Sequence, residues 1–164
     1  MEDLFIPELS DEYEFGGQMT DKDLIGRFIL SGNATFSLKD VRTGRHVTYK
    51  VQAAKSSNKR VSGDVSHFVS YKHGPSTGDF AYLGCIFIKD RQFKVTRRSK
   101  AKKGSTVAIW FDHLMKHLQR YPTYPLPADK IEFWHEGLCG RCGRQLTDPE
   151  SIATGLGPIC RERE

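Results

Sequence analysis

The chain has 164 residues, with 25 Lys and Arg against 20 Asp and Glu, and four cysteines. That length supports one sizeable core and a satellite too small to fold unaided. No apolar run approaches the roughly 18 residues of a membrane span and no basic-then-apolar leader opens the chain, so a cytoplasmic protein without membrane association is expected.

The net charge of +5 hides a split. Residues 1–24 hold eight acids and one base, Lys22, and read as an acidic N-terminal arm. Residues 25–164 then carry 24 bases against 12 acids. A body this basic calls for a polyanion or an acidic protein surface as its partner.

A β-rich core is expected over 25–120. Ala34–Val41 alternates with Phe36 and Leu38 on one face, Arg42–Arg45 turns, and His46–Val51 is β-branched, which together read as a hairpin. Gln52–Ser66 is polar, contains Lys55, Lys59 and Arg60, and reads as an exposed loop. His67–Tyr71 is a further strand. His73–Asp79 is glycine-rich but lacks the Lys of a phosphate-binding loop, so it is a turn. Phe80–Lys89 is apolar on both alternating faces, as in a central strand covered on each side. Gln92–Arg97 closes the set. Five short strands in local succession predict an α+β protein built on an antiparallel sheet or partial barrel.

Arg97, Arg98, Lys100, Lys102 and Lys103 make the densest positive run of the chain. It precedes a helix over 105–120 with Ser105 as N-cap and an apolar stripe of Val107, Trp110, Phe111, Leu114, Met115 and Leu118. His113 and His117 share a helix face, but no third ligand accompanies them, so they read as exposed. Residues 121–130 form a proline-stiffened connector. A short strand, Lys130–Trp134, then leads into a C-terminal module over 131–164.

That module holds the chemistry. Cys139 and Cys142 form a C-x-x-C pair, Cys160 follows, and His135 stands three residues before the first thiol. Two thiolates so spaced bind one ion at adjacent corners of a tetrahedron, with Gly140 and Gly143 freeing the turn. Cys160 and His135 would complete a closed, structural Zn²⁺ site, one ion per chain. Cys85, the distant alternative for the fourth corner, lies in an apolar run and reads as a small buried residue. No thioredoxin-like pattern surrounds the pair, which argues against a redox disulfide.

The string His135-x3-Cys139-x2-Cys142-Gly143-Arg144-x-Leu146-Thr147-x-Pro149-x-Ser151-Ile152-x2-Gly155-x-Gly157-Pro158-x-Cys160 resembles the C-terminal signature of a family of small phage and bacterial proteins of unassigned function. Ala81-Tyr82-Leu83-Gly84 is similar to a stretch in phage proteins with this tail. The resemblance implies a zinc module in a phage or mobile-element setting and implies no reaction.

Catalytic patterns are missing. The His135–Glu136 and cysteine spacing fits neither a zinc deaminase nor a zincin, and a closed site would leave no water to activate. No Ser-His-Asp elbow or carboxylate pair is evident, so a non-enzymatic protein is expected. Two classes follow. One is a zinc-containing nucleic-acid-binding protein that uses Arg97, Arg98, Lys100, Lys102, Lys103, Arg141 and Arg144, with Arg161 and Arg163 nearby and Tyr71, Tyr82 or Phe93 as stacking platforms. The other is a phage-encoded inhibitor of the anti-defence type, whose basic face covers an acidic or nucleic-acid-binding host protein. Oligomeric state leaves no signature in the sequence.

Overall fold

A computed structural model of the chain describes residues 17–54, 65–89, 91–120 and 131–162. Most of the acidic arm, the centre of the basic loop at 55–64, the connector at 121–130 and Arg163 lie outside the described residues.

Among the described residues, seven strands form one antiparallel sheet. They are β1 (Gly17–Met19), β2 (Asn33–Asp40), β3 (His46–Ala53), β4 (Val65–Lys72), β5 (Phe80–Phe87), β6 (Phe93–Val95) and β7 (Ile131–His135). Their order across the sheet is β1-β7-β2-β3-β4-β5-β6. The five expected strands are β2 to β6, shifted by up to two residues at each end.

The two additional strands change the organisation. β7 lies between β1 and β2, with His135 opposite both Gly17 and Phe36. It is therefore an interior strand of the sheet, not the first element of a separate module. β1 falls inside the segment read as an acidic arm. Three residues, Gly-Gln-Met, are too few to show a period, so its pairing is decided by β7 alone.

Helix α1 (Lys22–Ile29) was not anticipated. Eight residues with Gly26 in the middle make a weak propensity signal. The side chain of Asp21 supplies the missing start, accepting from the amides of Asp23 at 2.9 Å and Leu24 at 3.1 Å. Ile25, Phe28 and Ile29 are its buried side.

Helix α2 (Thr106–Arg120) begins where expected. The Ser105 hydroxyl, however, donates to the Lys102 carbonyl at 2.6 Å and does not cap the helix with its side chain. Phe111 of α2 packs against Phe36, Tyr49 and Phe93, and the Tyr49 hydroxyl donates to the Val107 carbonyl at 2.7 Å. Phe28 of α1 meets Phe36 and Phe133 edge-on at 6.4 and 6.0 Å. Both helices thus cover the same face, and the core is an aromatic layer between them and the sheet. His117 is buried, against the expectation of an exposed residue, while His113 is exposed.

Register assigns the other face. A row of paired residues, Gly17–His135–Phe36–Tyr49–Tyr71–Ala81, points toward the helices. Ser70 pairs Tyr82 but Val69 pairs Gly84, so a bulge between Val69 and Ser70 interrupts the alternation of β5. This is why β5 looks apolar on both faces: Leu83 and Ile86 enter the core, while Phe80, Tyr82 and Phe87 lie on the opposite face, half-buried.

Candidate metal centre and basic surface

The chain leaves β7 and doubles back in a tight loop. Leu138 and Gln145 bridge, Cys139 donates its amide to Arg144 at 2.8 Å, and Gly143 to Cys139 at 2.9 Å. Cys139 and Cys142 sit at the tip. Of the two glycines expected to free this turn, Gly143 has φ +79°, the left-handed region. Gly140 serves by its size: a Cβ there would lie 2.5 Å from Ser31 Oγ and 2.7 Å from Phe28.

Two short helices return the chain to the tip. Helix α3 (Pro149–Thr154) is capped by Asp148, which accepts from the Ser151 amide at 3.0 Å; the Ser151 hydroxyl first and this amide second lower its carboxyl pKa. It stops at Gly155, where φ is 74° and an added Cβ would lie 2.4 Å from the Phe28 ring. Helix α4 (Pro158–Glu162) then carries Cys160.

The sulfurs of Cys139, Cys142 and Cys160 all lie within 4.8 Å of one another. Cys139 and Cys160 are buried and Cys142 is exposed. Burial raises the Cys139 thiol, but backbone amides, among them those of Gly157 at 3.4 Å and Arg141 at 3.5 Å, bring it down to about 7. Cys160 is pushed up to about 11 by burial and by its two sulfur neighbours. Thiolates converging this closely repel one another unless a cation lies among them. The donor set therefore fits a metal ion, and three sulfurs favour a soft or borderline one.

His135 does not join that group. Its Nδ1 accepts from the Gly137 amide at 3.0 Å, which assigns the proton to Nε2, bonded to the Ile152 carbonyl. Both ring nitrogens are thereby occupied by backbone, and the ring ties β7 to α3 in the buried layer beside Phe28, 5.8 Å away. Burial lowers its pKa, consistent with a neutral ring. Sequence spacing placed it near the thiols; its orientation follows from the interior position of β7. Cys85 is buried on β5, opposite Phe68 and Lys94, and is also outside the group.

The seven basic residues proposed for nucleic acid fall into two sets. Arg141 and Arg144 are exposed on the cysteine loop, beside the β1–β7 side of the sheet. Arg97, Arg98, Lys100, Lys102 and Lys103 are exposed on the loop after β6, at the other edge. Five strand spacings separate β7, which the cysteine loop follows, from β6, roughly 24 Å at about 4.8 Å each. Arg161 is engaged within the tail, donating to Ser151 Oγ at 3.1 Å and to the Leu156 carbonyl at 3.2 Å.

The second set has neighbours that the sequence did not reveal. The Lys100 amide donates to the Tyr82 carbonyl at 2.9 Å, which fastens the basic loop alongside β5. On the side of β3–β6 that no helix covers among the described residues, the Lys50 ammonium lies over Phe80 at 4.7 Å and that of Lys94 over Phe87 at 5.7 Å. Phe68 and Tyr82 meet edge-on at 6.2 Å, and Thr96 donates its hydroxyl to that of Tyr82 at 3.0 Å. β4, β5 and β6 contain no Asp or Glu. Of the three aromatics expected as platforms, Tyr71 and Phe93 are buried and Tyr82 is half-buried. Phe87 could not be placed from alternation because the bulge after Tyr82 shifts the faces of β5, and Phe68 and Phe80 share the face of Tyr82 only through the register of β4 with β5.

Residues 133–164 match a family of unknown function (DUF6011). No curated protein and no solved structure matches the chain. No helix among the described residues is long and apolar enough to cross a membrane.

Proposed function

We propose that this chain is a non-enzymatic nucleic-acid-binding protein whose C-terminal loop is held by one structural Zn²⁺ on Cys139, Cys142 and Cys160. The observation that carries the reading is the helix-free face of β3–β6. There, Lys50 and Lys94 interleave with four half-buried aromatics, and Arg97, Arg98 and Lys100 line its border. Residues 65–103 carry nine bases and two acids. Charge of one sign over a shallow aromatic surface suits phosphates with bases beside them. The metal fits a supporting role, because thiolate ligands suit a site that stabilises a small loop. The phage or mobile-element setting implied by the tail belongs to the same reading.

The test is a salt titration with an oligonucleotide of about ten residues, within the range that one small sheet covers. The logarithm of affinity should fall linearly with the logarithm of salt. Replacing Lys100, Lys102 and Lys103 with Ala should lower the slope by roughly 2 units, near 0.7–0.9 for each lost phosphate contact. Replacing Arg141 and Arg144, on the cysteine loop after β7, should leave the slope unchanged. Binding insensitive to salt, or none at low salt, would reject nucleic acid and leave an acidic protein as the partner. Elemental analysis of freshly purified protein should give one zinc per chain, and well under half would reject the ion.

A further inference from the structure

We infer that the helix-free face of β3–β6 takes single-stranded nucleic acid, with bases stacked on Phe68 and Tyr82, and does not take duplex. The inference rests on the nucleic-acid reading above and names the strandedness of its ligand.

The first observation is where the aromatic rings stand. Phe68 and Tyr82 lie on neighbouring strands, 6.2 Å apart and steeply inclined at 66°, and both are half-buried. Neither touches the helix layer, since Phe68 pairs Cys85 and Tyr82 pairs Ser70 on the far side of the sheet. Half-buried rings on a sheet retain contact area that an unstacked base can cover. A duplex cannot supply it, because its bases already stack on one another and present only their edges in the grooves.

The second observation is the arrangement of charge around those rings. Lys50 and Lys94 do not project freely; each ammonium is drawn over a flanking ring, Phe80 or Phe87. Held in this way, the cations flank the Phe68–Tyr82 pair across the strands, with Arg97, Arg98 and Lys100 along its border. A strand crossing the sheet from β3 toward the basic loop would meet Lys50, the aromatic pair, Lys94 and then the loop. Its phosphates would find cations on both sides and its bases would face the rings. A duplex on the same surface would contact the loop and leave the aromatics unused.

The third observation concerns the sheet backbone, which makes the platform rigid. The Thr96–Tyr82 hydroxyl bond and the Lys100 amide on the Tyr82 carbonyl fix the position of Tyr82 from both its ends. A stacking platform held in place loses little conformational entropy when a base lands on it.

The experiment is fluorescence anisotropy of the full chain with three labelled probes of one mixed sequence, about twenty residues long. They are single-stranded DNA, single-stranded RNA and the DNA duplex, all at about 0.15 M salt, where non-specific duplex binding is weak. Either single strand should bind at least tenfold more tightly than duplex, and the ratio of the two single-stranded arms tells whether DNA or RNA is preferred. The double variant Phe68→Leu with Tyr82→Leu keeps apolar bulk on the sheet, and its far-ultraviolet spectrum and melting should stay close to those of the parent. It should lose tenfold or more in single-strand affinity while its salt slope is unchanged. Equal binding of duplex and single strands, or a leucine variant that binds as the parent does, overturns the inference and leaves nucleic-acid binding standing. Failure to bind any probe, even at low salt, removes both.

Discussion

Gly137 donates its amide to Nδ1 of His135 at 3.0 Å, and this one bond decides what the ring is for. With Nδ1 accepting and Nε2 bonded to the Ile152 carbonyl, the imidazole joins the end of β7 to α3 and has no lone pair directed elsewhere. Substituting His135→Gln should leave metal stoichiometry intact. In cobalt-substituted protein, the thiolate-to-metal charge-transfer band should keep its intensity, while stability falls by about 1–3 kcal/mol for the lost buried bonds. A variant that shifts the cobalt spectrum or binds under half an equivalent would put the ring among the ligands.

Removing the metal should be felt throughout the sheet. β7 is paired on both sides, Asn33 at the start of β2 donates to the Gly140 carbonyl at 2.6 Å, and Phe28 packs against Gly140 and Gly155. The cysteine loop and the core therefore share elements. Chelation, or Cys139→Ser, should lower one cooperative melting transition without splitting it. A loss of about 3 kcal/mol corresponds to roughly 6–12 °C in a domain of this size. Two separate transitions, with the upper one unmoved by chelator, would show that the tail folds on its own.

Acid should destabilise the protein through its buried histidines. Burial lowers the pKa of His46 from 6.5 to about 4, with Lys39 and Lys72 adding to the effect, and burial also lowers that of His67. Between about pH 6.5 and 4 the unfolded chain binds protons that the folded chain refuses. Stability is thus full above pH 6.5 and is lost as pH falls through that window. For His46 the loss is on the order of 2–3 kcal/mol. Denaturant titrations at pH 7.5 and pH 4.5 should show it, and His46→Gln should shrink the difference by about that amount. A variant with the same pH dependence as the parent would clear His46 of the effect.

How much of this was legible in the residues depends on the range of the interaction that fixes each feature. β2 to β6 were legible because alternation and turn residues are local. The cysteine loop was legible because two thiols two residues apart can meet only in a turn. α1 was obscured by Gly26 and rests on the Asp21 cap and the packing of Phe28. β1 has three residues and no pattern of its own.

The sequence by itself determined the strand-rich core, the basic body and a sulfur site built from Cys139, Cys142 and Cys160. It did so because strand periodicity and the Cys139–Cys142 spacing act within a few residues, net charge is a sum that needs no fold, and Cys160 is the one further thiol in the tail. Only the tertiary structure decided that β7 is an interior strand, which draws His135 into the core and away from the thiols. It alone also separated the arginines of the cysteine loop from the basic run after β6, and placed Phe68, Tyr82, Lys50 and Lys94 on one face. Those relations join residues up to about a hundred positions apart through strand order and a bulge, and no local pattern encodes either.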